Sequence, residues 1–438
     1  MQMEIGGTDS GLNEVHVPVP WIVSTRGYAV LVEETSPGAF DVGATDAAVA
    51  TATYASSAFS FAVVTARDSW VLAGEVAHRT GMPRLPPMWS FGPQMWRNEL
   101  EDRAELLDDA RAIREHDLPV SVLWIDNPWQ TSYNDFTFNP LQFPDAPSMI
   151  RELHDRGFRV LAWSTPYLDT SDDSRVRAGM NPNTGGLYEE ALERGYLVRL
   201  AYGGVAEMPW TSGKLGGKID FTNPAASEWW TELVRRATRL GIDGFKLDYG
   251  ELTPHLFGSR LNLRFHDGRT ESELHAAYSV LYHRSYREAL RRDRPQGFII
   301  GRASTLGGQP HVDCIWPGDL DRDFSDHREP NAQGNPSVGG LPAAVHALQS
   351  LSVSGFPTFG SDTGGYRGGV PSSEVLVRWA AHTAFTPVMQ IGGGGDSHNP
   401  WDTSLYPGDW VLPAMRKFMK THQRLVPYLF ALVHRAST

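Results

Sequence analysis

The chain has 438 residues, 41% hydrophobic and 21% charged, with a formal net charge of −12. That length holds one large barrel plus an appended unit. An acidic balance with no basic stripe excludes nucleic acid as a partner, because such binding takes clustered Lys and Arg to displace counterions. Cys314 is the sole cysteine, which excludes an intrachain disulfide and a cysteine-based zinc cluster. No run of about eighteen apolar residues occurs, so no membrane partner is expected. Residues 1–11 are polar and Gly-rich and lack the apolar core of a signal peptide, so a cytoplasmic location is expected.

Residues 1–80 read as β structure, part of a β-sandwich. Runs at 15–23, 28–32 and 59–64 are rich in β-branched and aromatic residues, and turn signals such as Arg26-Gly27 and Ser36-Pro37-Gly38 separate them. The segment Gly81-Met82-Pro83-Arg84-Leu85-Pro86-Pro87 marks the boundary. From residue 81 to 438 buried runs alternate with helical stretches. The buried runs lie at 89–91, 120–125, 160–163, 245–247, 298–300, 313–316, 357–359 and 387–389. The helical stretches are 101–117, 148–156, 225–240, 270–292, 341–354, 372–385 and 412–435. Eight strands alternating with helices predict an α/β fold, a (β/α)8 barrel. The interval 169–220 is too long for an ordinary βα loop and predicts an insertion after the third barrel strand, walling a pocket. Asn223-Pro224 opens the next helix, with proline where its missing N–H costs nothing.

In such a barrel, chemistry sits at the C-terminal strand ends. The stretch Gly241-Ile242-Asp243-Gly244-Phe245-Lys246-Leu247-Asp248-Tyr249-Gly250-Glu251 is a turn, a short buried run and then two acids. Asp248 is therefore presented at a strand end, and Lys246 and Glu251 crowd charge around it. Charges at a barrel mouth need partners or chemistry, and a lone Asp there is otherwise an ordinary strand-end cap. Asp319 follows Trp316-Pro317-Gly318 at the end of another buried run; the plainer alternative is a turn aspartate. Two carboxylates on neighbouring strand ends are the minimum for hydrolysing a glycosidic bond. A neighbouring Trp and an anionic Asp248 would raise the Asp319 pKa toward that of a proton donor.

Arg302, just past 298–300, suits a carboxylate or sugar hydroxyl through its planar fork. Asp126, after Leu123-Trp124-Ile125, is placed to accept two sugar hydroxyls. Asp362 ends the seventh run and serves as a ligand contact or a support. Trp89, Trp96, Trp124, Trp129 and Trp163 are expected at strand ends, where flat faces stack on sugar or simply pack the mouth. The loop Gly392–Gly395 with Asp396 and His398 lacks GxxxxGK[ST], so it is no nucleotide P-loop. No HExxH pattern or close His pair predicts a metal site, which disfavours a metal-dependent barrel hydrolase.

These residues together resemble glycoside hydrolase family 31, over roughly residues 15–435. Phe245-Lys246-Leu247-Asp248-Tyr249-Gly250-Glu251 is similar to the family's nucleophile motif and Trp316-Pro317-Gly318-Asp319 to its acid/base loop. The resemblance implies Asp248 as nucleophile and Asp319 as proton donor. Arg302 matches the arginine before that loop, and Asp126 the acid that binds the non-reducing sugar. Ser361-Asp362-Thr363-Gly364-Gly365 resembles the family's Asp-x-Gly-Gly segment. Phe136-Thr137-Phe138-Asn139 with Phe143-Pro144-Asp145, and Ile219-Asp220-Phe221-Thr222-Asn223-Pro224, are similar to further family segments. Lys246, Trp316, Trp96 and Trp163 complete the expected substrate-binding set, with His398 reaching back.

Two departures stand out. Where the family commonly has an Arg and, two residues on, a His, this chain has Gln390 and Gly392. The change leaves room for galactosides or 2-substituted sugars beside glucosides. Relatives also carry β-sandwich domains after the barrel, so an excised or reduced form is expected. The resemblance implies a retaining, exo-acting α-glycosidase with no cofactor and a carbohydrate partner. The alternatives are an α-transglycosylase with the same two acids and a catalytically impaired sugar-binding relative. Retention implies a carboxyl separation of about 5–5.5 Å, against roughly 6.5–9.5 Å for inversion.

Overall fold

The computed structural model describes residues 15–54, 56–169, 186–209, 215–251, 255–256, 259–260, 262–326, 338–395 and 397–438. Residues 1–11, parts of the 169–220 insertion, and Asp396 lie outside the described residues.

Near the N-terminus, Trp21–Ser24, Tyr28–Val32 and Phe61–Thr65 form an antiparallel three-stranded sheet, beside a hairpin of Gly38–Val42 and Ala50–Tyr54. Contrary to the all-β expectation for residues 1–80, Ser69–Thr80 is an α-helix. Its ends are capped locally: the Asp68 carboxylate accepts from Trp70 N–H, and Gly81 N–H bonds the Ala77 carbonyl. Capping satisfies backbone groups that a strand would have paired sideways.

The barrel strands are β1 (Gln94–Arg97), β2 (Val122–Ile125), β3 (Arg159–Ser164), β4 (Gly244–Leu247), β5 (Phe298–Gly301), β6 (Cys314–Ile315), β7 (Asp362–Thr363) and β8 (Gln390–Ile391). They form one parallel sheet in the order β6-β5-β4-β3-β2-β1-β8-β7, and a parallel bridge between Ile315 and Phe359 closes it. Alternate residues of β2 separate cleanly. Val122 and Trp124 join an inner cluster with Trp96, Leu161, Phe298, Ile300 and Trp316, while Leu123 and Ile125 join the layer shared with the outer helices. This is the period-two signature of a strand buried on both faces.

Three strand positions differ from the sequence reading. Residues 89–91 lie in a 3-10 turn, Met88–Phe91, and the first strand is Gln94–Arg97. The Ser90 amide and hydroxyl both bond the Pro87 carbonyl, closing that turn. The seventh strand splits its pairing. Around Phe359 it bonds β6 and accepts one hydrogen bond from Val388 N–H, whereas its paired register with β8 begins at Asp362. The eighth is Gln390–Ile391, beyond the predicted 387–389. Both predicted runs began at a proline, Pro357 and Pro387, which has no N–H to give a ladder. The stretch 270–292 is likewise two helices, Glu271–Leu274 and Tyr278–Asp293. After β3, Tyr167–Asp169 pairs with Leu215–Lys218, which pairs with Glu207–Pro209. This small antiparallel sheet lies where the insertion was expected.

Candidate active site

Parallel strands in one register present their C-terminal ends on one face. Lys246 comes from β4, Asp248 from just past it, Arg302 from just past β5, Trp316 and Asp319 from beyond β6, and Asp126 from just past β2. Asp248 accepts two hydrogen bonds and forms one ion pair. Its Oδ1 takes the Tyr249 backbone N–H at 2.8 Å and lies 2.9 Å from Arg302 Nη1, and its Oδ2 takes Trp163 Nε1–H at 3.2 Å. Tyr249 has φ 49°, a left-handed conformation rare for a bulky residue, and the Arg302 guanidinium carbon sits 4.3 Å from the centre of its ring.

Arg302 is itself gripped from behind. Its Nε and Nη2 donate to Glu251 Oε1 and Oε2 at 2.9 and 3.2 Å, a forked pair. Glu251 Oε1 also accepts from His16 Nδ1 at 2.5 Å, and its backbone carbonyl accepts from Lys218 Nζ. Burial alone would raise the Glu251 carboxyl, but the charge of Arg302, followed by His16, holds it well below the usual carboxylate range. Burial lowers the Lys218 ammonium to about 7, and its Nζ lies 5.0 Å from the ring centres of both Tyr167 and Tyr278.

The Asp319 carboxyl is pushed up to about 6, first by burial and then by the negative charge of Asp248. One acid near neutrality beside a second gripped by an arginine is the division of labour a two-carboxylate site needs.

Lys246 donates to Asp126 Oδ2 at 3.1 Å, and Asp126 Oδ1 accepts from the Asn127 backbone N–H at 2.8 Å. The Lys246 ammonium lies 4.0 Å from the Trp96 ring centre and 5.3 Å from that of Trp316. Trp96 stacks between Trp124 and Tyr366, at 5.8 and 6.2 Å. The indole nitrogens of Trp96 and Trp316 are buried without a hydrogen-bond partner among the described residues. Asp362 Oδ1 accepts from Gln390 Nε2 at 3.1 Å, while its buried Oδ2 has no protein partner among the described residues. Burial raises the Asp362 carboxyl well above its usual range.

Some expected positions are corrected. Trp89 lies at the opposite end of the barrel, where its indole N–H bonds the Gln296 carbonyl just before β5. Trp124 and Trp129 are buried and committed to protein partners, Gln94 Oε1 and the Trp163 carbonyl. Trp163 reaches Asp248 directly, while the ring centres of Trp96 and Trp124 lie 4.0 and 5.9 Å from the Lys246 ammonium. His398 is buried behind β7, with Nδ1 on the Thr363 carbonyl at 3.0 Å, and burial lowers it to about 4. It stands beside the backbone of Gly393 and Gly364. The reading missed His16, Lys218 and Tyr366. Tyr366 directly follows the Ser361–Gly365 motif and Lys218 directly precedes the Ile219–Pro224 segment, both usable signals; His16 left none. No group of three or more His, Cys, Asp or Glu able to hold a metal occurs among the described residues.

A (β/α)8 barrel carrying two acids beyond the C-terminal ends of β4 and β6, which flank β5, and a ring of charged and aromatic residues is the architecture of a carbohydrate-active barrel. Residues 83–432 match the family description "Glycosyl hydrolases family 31 TIM-barrel domain", and the chain belongs to that family. It is 26% identical to the alpha-xylosidase of Emericella nidulans, over 99% of this chain and 52% of that protein. With the isomaltosyltransferase of Sporosarcina globispora it shares 26% identity over 97% of this chain and 40% of the other. With the sulfoquinovosidase of Escherichia coli K12 it shares 30%, over 67% and 40%. The dextranase of Flavobacterium johnsoniae superposes with a TM-score of 0.84 at 22% identity, over 97% of this chain and 50% of that one. The chain thus spans about half the length of the curated relatives it matches first.

Proposed function

We propose that this chain is a retaining, exo-acting α-glycoside hydrolase that releases a non-reducing-end sugar by two-step displacement. The observation that carries the reading is the pairing of Asp248, clamped by Arg302 and Trp163, with Asp319, whose carboxyl burial and the charge of Asp248 push up to about 6. In the first step an Asp248 oxygen bonds the anomeric carbon as the bond to the aglycone oxygen breaks, and Asp319 gives that oxygen its proton. Oδ1 already holds two donors at 2.8 and 2.9 Å, so we assign attack to Oδ2, whose bond from Trp163 is longer. In the second step Asp319 takes a proton from water, whose oxygen displaces Asp248 from the sugar. Asp126, oriented by Lys246, accepts hydrogen bonds from hydroxyls of the bound ring, and Asp362 offers its open Oδ2 to another ring hydroxyl.

The substrates are α-glucosides or α-xylosides. The relatives named above include an alpha-xylosidase, a dextranase and an isomaltosyltransferase, and that range favours these sugars over the α-galactosides that Gln390 and Gly392 left open. The test is a panel of nitrophenyl α-glycosides (glucoside, xyloside, galactoside, N-acetylgalactosaminide) with wild type and Asp248→Ala. Turnover of the glucoside or xyloside, abolished by the substitution, supports the proposal. Turnover of the galactoside alone overturns the sugar assignment, and turnover surviving Asp248→Ala overturns the mechanism.

A second reading rests on the isomaltosyltransferase likeness. An α-transglycosylase uses the same two acids and differs only in whether water or a sugar hydroxyl takes the glycosyl group. Product analysis with and without a free sugar acceptor separates the two.

A further inference from the structure

We infer that His16, from the segment preceding the first N-terminal strand, is a positioning residue for the nucleophile and joins the two catalytic loops. The inference rests on the glycosidase reading above and extends it to a residue far from both acids in sequence.

The contacts run in series. His16 Nδ1 bonds Glu251 Oε1 at 2.5 Å across 235 residues of chain. Glu251 holds the guanidinium of Arg302 with both carboxylate oxygens, and the remaining arm of that guanidinium reaches Asp248 Oδ1 at 2.9 Å. A guanidinium is a rigid fork, so fixing Nε and Nη2 fixes where Nη1 points. Glu251 in turn needs a second donor to keep one rotamer, and His16 supplies it. The other side of the imidazole meets the acid/base loop. A Cβ added to Gly318, which has φ +85°, would lie 2.9 Å from His16 Nε2 and 3.4 Å from Arg302 Cδ. Gly318 immediately precedes Asp319, so one buried ring packs against the support of the nucleophile and the hinge of the acid.

The segment is anchored independently of the histidine side chain. Ser304 N–H donates to the His16 carbonyl at 3.2 Å and Thr305 Oγ1 to the Pro18 carbonyl at 2.8 Å. Both acceptors lie on the N-terminal segment and both donors on the loop after β5 that begins with Arg302. Replacing the imidazole therefore leaves those tethers in place, while Glu251 loses a donor.

The experiment compares His16→Ala, His16→Asn and Glu251→Gln with wild type and Asp248→Ala. The substrates are nitrophenyl and dinitrophenyl α-glycosides of whichever sugar wild type turns over. Loss of nucleophile positioning lowers kcat/KM by about 10–100-fold and by the same factor on both substrates, because the better leaving group relieves only the need for an acid. His16→Asn, which keeps a side-chain N–H near the Nδ1 position, restores most of the loss. Glu251→Gln shows the same leaving-group independence and carries the test if His16→Ala does not fold. Equal kcat/KM for wild type and a folded His16→Ala overturns the inference. So does a loss confined to the poorer leaving group, which would place the effect on Asp319. An Asn variant no better than Ala, with both as heat-stable as wild type, overturns it as well. Wild type inactive on all substrates, or an active Asp248→Ala, instead overturns the glycosidase reading and the inference with it.

Discussion

The indole of Trp96 fills the space that a side chain at position 392 would need: a Cβ built on Gly392 falls 2.4 Å from Trp96 Nε1. The two residues come from adjacent strands, β1 and the end of β8. At the position where the family resemblance implies a histidine, the space is filled by a tryptophan whose N–H is buried and unpartnered among the described residues. Gly392→Ala forces the indole off its stack between Trp124 and Tyr366 and is expected to cost about 1–3 kcal/mol. Trp96→Phe removes the nitrogen at the clash and recovers part of that loss. Urea denaturation of the two single variants and the double variant reads the coupling, expected at about 0.5–3 kcal/mol; strict additivity would show that the residues do not compete for space.

The pH dependence follows from Asp319. Its carboxyl is raised to about 6 by burial and by Asp248, so it carries its proton below about 6 and loses it as pH rises through that value. Bond cleavage needs the protonated form. The alkaline limb of kcat/KM on a nitrophenyl α-glycoside is therefore expected to break near 6 and fall about tenfold per pH unit beyond it. A plateau extending past pH 8 would remove Asp319 from the donor role.

Asp319→Ala separates acid from nucleophile. General acid assistance is worth about 10²–10⁴-fold, so a loss of that size is expected with a nitrophenyl leaving group and a much smaller one with a dinitrophenyl group. Added azide should then yield a glycosyl azide of the same anomeric configuration as the substrate, since it enters after Asp248 has already inverted the centre once. An azide product of opposite configuration would indicate direct displacement and a single-step enzyme.

Lys246 is inside the barrel with Asp126 as its hydrogen-bonding partner, both nearly inaccessible to solvent. Lys246→Met keeps the chain length but leaves Asp126 buried without that counter-charge. Breaking a buried pair in this way costs about 3–5 kcal/mol. Thermal or urea unfolding measures it, and replacing both, as Lys246→Met with Asp126→Asn, recovers much of the stability while activity stays lost. A single variant as stable as wild type would mean that Asp126 is already neutral in the free protein.

The alternation of apolar runs and helices was enough to predict the barrel, because each strand is buried on both faces and each helix on one, and both patterns are local. The positions of Asp248, Asp126 and Arg302 were legible for the same reason: a charged residue directly after a short buried run leaves the core at the strand's C-terminal end. Strand boundaries were less legible where proline intervened. Pro357 and Pro387 open apolar runs that resemble strands, yet the paired register between β7 and β8 starts only at Asp362 and Gln390, after the single contacts that Phe359 makes with Ile315 and Val388. Trp89 and Trp96 stand seven residues apart, and only the turn of residues 88–91 sends the first to the far end of the barrel.

By itself, then, the sequence determined the fold and the acids at its mouth, since those depend on which residues leave the core at the end of each strand. Tertiary structure alone decided what holds the acids in place. The His16–Glu251–Arg302 series, the Gln390–Asp362 bond, the burial of His398 and the packing of Trp96 over Gly392 join segments that closure of the barrel brings together. No local pattern encodes such pairings, because each depends on the shape of the space that remains once eight strands have met.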